Sequence, residues 1–271
     1  MAFTDHCDLY AAVHEEGANR LIQHLMLQRP SMFNYATADV AANKELWCEQ
    51  VKFTDDVPKY GNPIFTVLPP LPVIGVDSPP VGLSYCVQLQ KFELDFHPNN
   101  VFGLPPELDP LKEQHFALHF LVCGALACPD DRVLEQIPVL PPETNKERPE
   151  KVPPVHVPGK LQCFCLRVFV VGHFERAFIL SKETLLGKVD GVEIVDIKPG
   201  ELENSIECYI RTAVTMTLRQ KLAIPLATFF VSFPLFGMGT VILTPTTNPP
   251  IPNNPAIEED QLKAFITMTV I

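Results

Sequence analysis

Over residues 83–97 apolar and polar positions alternate, but in two phases: Leu83, Tyr85, Val87 and Leu89 share one, while Phe92, Leu94 and Phe96 take the other. The change falls at Gln90-Lys91. Successive side chains of a strand point to opposite faces, so one extra residue inverts the pattern, which is the mark of a β-bulge. Bulges bend and twist long strands, and the pattern predicts a strongly curved sheet. Alternation returns over residues 114–123, with Phe116, Leu118, Phe120 and Val122 on one face and His115, Ala117 and His119 on the other. The first face is core and the second is largely wet.

Residues 161–171 form a strand apolar on both faces, and further strand signals lie at 174–180, 191–197, 227–233, 240–243 and 262–271. Residues 7–14 read as a short extended segment. Short β-like runs over 46–68 predict edge strands, interrupted at Asp55-Asp56-Val57-Pro58 and closed by a proline-rich stretch from Pro69 to Pro80.

Two segments carry the helical period. The first opens at Glu15-Glu16, runs to about Gln28 before Pro30, and aligns Ala18, Leu21, Ile22, Leu25 and Met26 on one stripe. The second has Pro199 in its first turn with Glu201 and Glu203 behind it, and Arg219 and Lys221 in its last turn before Pro225. Around its axis only Glu203, Glu207, Arg211, Thr215 and Arg219 form a polar stripe. Such a helix has to be buried over most of its circumference, which a sheet achieves by curling around it. The expected fold is therefore α+β: a long, strongly curved antiparallel sheet wraps a long helix in the C-terminal half, with another helix near the N terminus.

Composition narrows the function classes. With 46% hydrophobic residues in 271, the chain can bury a sizeable core, and residues 1–271 read as one domain. The 28 prolines stiffen its loops, and the Pro- and charge-rich stretch at about 130–159 reads as a long surface loop within that domain. A formal charge of -11, with no cluster of Lys and Arg, excludes nucleic acid as a partner on electrostatic grounds. The most apolar stretch, 227–243, is too short to cross a bilayer comfortably and holds Pro234, Gly237 and Gly239. No secretory signal pattern opens the sequence, so a cytoplasmic location is expected. Eight cysteines are scattered without framework spacing, which predicts buried, reduced thiols.

Chemistry-bearing motifs are sparse. Phosphate loops, a Gly-x-Ser-x-Gly turn and a His-Glu-x-x-His helix are all missing, so no catalytic residue, cofactor or metal is expected. His115 and His119 share a strand face, with His97 on a neighbouring strand, but no carboxylate or Cys stands at ligand spacing beside them. They read as the polar side of an amphipathic strand. Cys163-Phe-Cys165 puts two thiols on one face without the second pair a zinc site needs. The acidic pairs Asp55-Asp56 and Asp130-Asp131 and the run Glu258-Glu259-Asp260 read as solvated turns.

The order of a helix near the start, bulged strands, the strand Val192-Glu-Ile-Val-Asp-Ile-Lys-Pro199, a long apolar helix and closing strands resembles the tubular lipid-binding (TULIP) superfamily. That superfamily includes bactericidal permeability-increasing protein-like and clostridial toxin-cluster proteins. The resemblance implies a sheet wrapped around a helix, with an apolar tunnel for lipid between them. It would place Ile206, Tyr209, Ile210 and Ala213 of the helix, and Phe92, Leu94, Phe116 and Leu118 of the strands, against a lipid. A dry packed core needs the same residues. The expected function is non-enzymatic binding or carriage of a lipid or other hydrophobic small molecule. The alternative is an interaction subunit of a bacterial secretion or toxin-associated complex, with a protein partner and a dry core.

Overall fold

The computed structural model describes residues 6–77, 80–126, 162–179, 182–198, 223–225, 231–235, 239–246, 251 and 253–271. In chain order its elements are β1 (Leu9–His14), α1 (Glu15–Gln28), β2 (Asn34–Ala36), α2 (Ala38–Ala42), α3 (Asp56–Lys59), β3 (Thr66–Val67), β4 (Leu71–Asp77), β5 (Pro80–Leu83), β6 (Tyr85–Phe96), β7 (His115–Leu126), β8 (Gln162–Ile179), β9 (Lys182–Lys198), β10 (Ala223–Pro225), β11 (Val231–Leu235), β12 (Gly239–Pro245), β13 (Ala256–Glu258) and β14 (Gln261–Val270). Seven strands form one sheet in the order β10-β9-β8-β7-β6-β2-β3. A second sheet runs β1-β14-β12-β11 with β13 against β14, and β4 and β5 make a separate pair.

This architecture corrects the expected fold class. Among the described residues the chain is mostly strand, no sheet is strongly curled, and none wraps a long helix. The described α-helices are 14, 5 and 4 residues long. The long helix expected over 199–222 lies outside the described residues, as does the proline-rich loop at about 130–159. Why the bulge does not curl the sheet is visible in its register. Pairing between β6 and β7 slips by one residue between Leu89 and Lys91 and is regular on either side, from Tyr85 opposite Leu126 to Phe96 opposite Phe116. One residue is absorbed locally while β7 continues unbroken.

The bulge has another effect. Leu89 faces Val122 and Phe92 faces Phe120, so the two apolar phases of β6 emerge on the same side of the sheet. That side continues across Val168 and Val170 of β8 to Val192 and Ile194 of β9. Together with Phe96, Phe116 and Leu118 these residues form the main core, onto which Ile257 and Leu262 pack from the second sheet.

The opposite side is covered in two pieces. Residues 36–65 cover its Cys86 end, where Ala36, Val40, Val51 and Phe65 pack. At the other end Phe102, Leu104, Leu108 and Leu111 lie over Ala117 and Val171. Residues 46–68, expected as edge strands, contain α3 and only the two-residue β3.

Helix α1 forms where expected, and His14 caps it by accepting from the Glu16 amide. Its buried residues are polar, however: Glu15 and Asn19, while Leu21 is 59% exposed. The reason is the edge of β6 beyond its pairing with β2, which leaves the backbone at Leu94 and Phe96 without a strand neighbour. Asn19 Nδ2 donates to the Leu94 carbonyl at 2.7 Å, and its Oδ1 accepts from Leu94 N at 2.8 Å. Glu15 Oε2 accepts from Phe96 N at 2.7 Å. Two helical side chains thus replace a strand at an otherwise open edge, where unpaired backbone groups would be costly.

Candidate functional site

Strands β6 to β9 present one apolar face and a reverse face on which polar groups are buried among apolar ones. On the apolar face, Phe92 opposes Phe120, Leu94 opposes Leu118 and Phe96 opposes Phe116 in three consecutive cross-strand pairs. Phe92 and Phe120 meet edge to face with ring centroids 4.9 Å apart. Four positions expected to contact a lipid, Phe92, Leu94, Phe116 and Leu118, are therefore brought together, Phe116 and Leu118 buried and Phe92 and Leu94 half-buried. The other four, Ile206, Tyr209, Ile210 and Ala213, lie outside the described residues. A depression of about 640 Å³ elsewhere is lined from residues 44–53, with Lys44, Glu49 and Lys52 among its walls. Its mixed lining does not coincide with the apolar face.

Polar chemistry gathers on the reverse face. Gln88 is fully buried, and its carboxamide clasps the backbone of Glu49 by donating to the carbonyl and accepting from the amide, both at 2.9 Å. Beside it Cys123 lies opposite Cys165 in register, and the two form a disulfide with Cα atoms 4.0 Å apart. Cys48 and Cys163 form another, with a Cα separation of 5.4 Å. Reduced thiols were expected at all four positions. Register across β7 and β8 and the fold of residues 36–65 bring these pairs together, neither of which a scattered spacing reveals.

Further along this face, His119 Nδ1 lies 2.9 Å from Glu93 Oε2, and the imidazole stacks on Phe169 with centroids 4.5 Å apart. Burial drives the His119 pKa down, though its bond to Glu93 opposes the shift. At Glu93 burial acts to raise the pKa, but hydrogen bonds from Lys91 and His119 outweigh it and hold the carboxyl below its usual range. The arrangement is a neutral imidazole donating to a carboxylate.

His115, expected to share a polar surface with His119 and His97, pairs instead with residues the sequence did not single out. It stands opposite His173, with ring centroids 5.1 Å apart. Asp190 Oδ2 lies 2.6 Å from His173 Nδ1 and 3.3 Å from His115 Nε2. The signal that could have found Asp190 is Gly187-Lys-Val-Asp-Gly191, where the alternation of β9 breaks as that of β6 does at Gln90.

Three carboxylates converge where α1, β6 and the β13–β14 turn meet. Glu15 is 2% exposed, and burial, reinforced by Asp95 and Asp260, pushes its pKa up to about 7 against the hydrogen bond from Phe96. Asp95 is raised as well, chiefly by burial, although it accepts from the amides of Asn100, Val101 and Phe102. Asp260 is held beside Glu15 by the bond from Glu15 N to its carbonyl, 3.0 Å, and its Oδ1 is buried without a hydrogen-bond partner among the described residues.

Among the described residues, fold and faces together define a mostly antiparallel β protein of two main sheets, the larger with one apolar face and a reverse face where polar groups are buried among apolar ones. No family model matches the chain, and no curated protein matches it. Among solved structures the chain is similar to a crystal structure of lipopolysaccharide binding protein, with a TM-score of 0.33 and 11% sequence identity. The match covers all of this chain and 45% of that one, so the chain spans less than half of that protein's length. A likeness of that size fixes neither fold nor function. Among the described residues no helix is long and apolar enough to cross a membrane.

Proposed function

We propose that the chain is a non-enzymatic binder of a lipid or other hydrophobic small molecule, held against the apolar face of β6–β9. The observation that supports this is the cross-strand series Phe92–Phe120, Leu94–Leu118 and Phe96–Phe116, half-buried at Phe92, Leu94 and Phe120, which offers a contiguous surface for an acyl chain. Apolar contact area is what such ligands are recognised by, with few polar groups needed to orient them. The TULIP resemblance agrees with this reading without carrying it. Two disulfides favour an oxidising compartment over the cytoplasm.

Native mass spectrometry of purified protein, with organic extraction of the same sample, tests the proposal. A co-purifying lipid is expected, together with saturable binding of a fluorescent fatty acid that Phe92→Ser and Leu94→Ser weaken. Ligand-free protein that fails to bind the fatty acid overturns it. If that protein also migrates only within a larger complex, the interaction-subunit role takes its place.

A further inference from the structure

We infer that His115, His173 and Asp190 form a binding site for a divalent transition-metal ion of the zinc type. The site is independent of the lipid reading, on the opposite face of the sheet. It is built by three adjacent strands. His115 and His173 are register partners on β7 and β8. Asp190 is the extra residue of a bulge in β9, where Val171 pairs with Gly191 and the next residue, Gly172, pairs with Val189.

Close backbone packing holds that bulge. A Cβ on Gly172 would lie 2.4 Å from the Lys188 carbonyl oxygen, a backbone contact that cannot relax cheaply, so the chain needs glycine beside His173. The bulge directs the Asp190 carboxylate at both imidazoles, as bulges next to functional sites do.

The donor atoms are arranged as a metal site requires. His115 Nδ1 donates to the Glu113 carbonyl at 2.8 Å, which turns Nε2 toward Asp190 as the nitrogen a metal would take. Such a bond to the remote nitrogen sets the tautomer and orientation of metal-ligating histidines. All three ligand atoms lie within 4.8 Å of one another. Metal–ligand distances of about 2.0–2.2 Å in a tetrahedral site put neighbouring donors roughly 3.3 Å apart. The His115–Asp190 separation is already 3.3 Å, and the 2.6 Å His173–Asp190 contact need only open by side-chain rotation.

Two nitrogens and a carboxylate suit zinc, cobalt or nickel better than calcium or magnesium, which take oxygen ligands. With three protein ligands the fourth position falls to water or an exogenous anion. Lys188, in register with His173, is engaged by Glu175 at 3.3 Å.

Cobalt(II) titration of the chelator-treated full chain under non-reducing conditions, followed by visible absorption and calorimetry, tests the assignment. One equivalent of cobalt is expected, with the absorption of a tetrahedral nitrogen and oxygen site, displaced by zinc. His115→Ala, His173→Ala and Asp190→Asn should each weaken binding by roughly tenfold to a hundredfold or more. Because all three side chains are partly exposed, circular dichroism should show the variants folded. Three results overturn the assignment: no saturable binding at millimolar metal, one-site binding that survives His173→Ala and Asp190→Asn, or a sulfur-to-cobalt charge-transfer band placing the ion on cysteines.

Discussion

The two faces of β6–β9 are made by the same strands, yet they follow different rules. On the apolar face a cluster from Phe92 to Ile194 is aliphatic or aromatic, and stability there rests on area removed from water. On the reverse face polar groups are buried alongside apolar ones, and three are held by specific partners: Gln88 by the Glu49 backbone, His119 through Nδ1 by Glu93, Asp95 by three amides. A polar group on the first face has nothing to bond. On the second face Gln88 and Asp95 find partners in the covering segments, at Glu49 and at residues 100–102, and His119 finds one across the strands at Glu93. The lesson is that the sheet has a packing side and a chemistry side, and that cross-strand pairs such as Glu93–His119 and the covering segments together make the second.

The sharpest way to break this distinction is to exchange polarity. Val170 is 0% exposed and sits between Leu118 and Val192. Val170→Asp buries a charge with no partner, for an expected loss of about 4 kcal/mol or more, enough to leave no folded protein in a marginally stable domain. On the other face, Glu93→Gln keeps an acceptor for His119 and should cost about 1–2 kcal/mol. Denaturant unfolding of the two variants checks the pair. Similar costs would mean that the apolar face is not dry.

Disulfide reduction is the next largest perturbation, and it acts only on the chemistry side. Cys163 and Cys165 share the tryptic peptide 161–167, while Cys48 lies in 45–52 and Cys123 in 113–132. Digestion without reductant should therefore release one three-peptide species held by both bonds, collapsing to separate peptides on reduction. Closing chain segments of 115 and 42 residues, the bonds should each contribute about 2–4 kcal/mol, so dithiothreitol should lower the thermal midpoint. Recovery of unlinked peptides from alkylated native protein would return the cysteines to the reduced state that their spacing suggests.

How far the sequence foretells these features depends on the range of the interaction. The bulge at Gln90 is legible because a phase change is a property of neighbouring residues, and α1 is legible from its period and from Pro30. The face that α1 buries is not, since Asn19 finds its partner at Leu94, 75 residues away. The apolar cluster is readable in composition but not in function, because packing and ligand binding call for the same side chains. His173 and Asp190 were missed for a register reason: only when β8 and β9 are aligned does the break at Val189-Asp190 face His115. Residues 46–68 misled because short apolar runs without periodicity suit short helices as well as strands.

The last of the expected effects depends on pH and concerns the seam where α1, β6 and the β13–β14 turn meet. Burial raises the Glu15 pKa from 4.5 to about 7. The folded state therefore binds this proton more tightly than the unfolded chain does. Its contribution is fully present below about pH 4.5, declines as pH rises, and is lost above about pH 7, by at most about 3 kcal/mol. Asp95 is shifted in the same direction and adds to the trend, whereas Asp39 and Glu93, both lowered, act with the opposite sign at more acid pH. Glu15→Gln isolates the term, because its carbonyl still accepts from Phe96 N while its charge is gone. The variant should match the parent near pH 4.5 and exceed it increasingly toward pH 8, as read by denaturant midpoints across that range. Parallel curves would show that the carboxylate at this seam is solvated, and that α1 holds the edge of β6 through Asn19 alone.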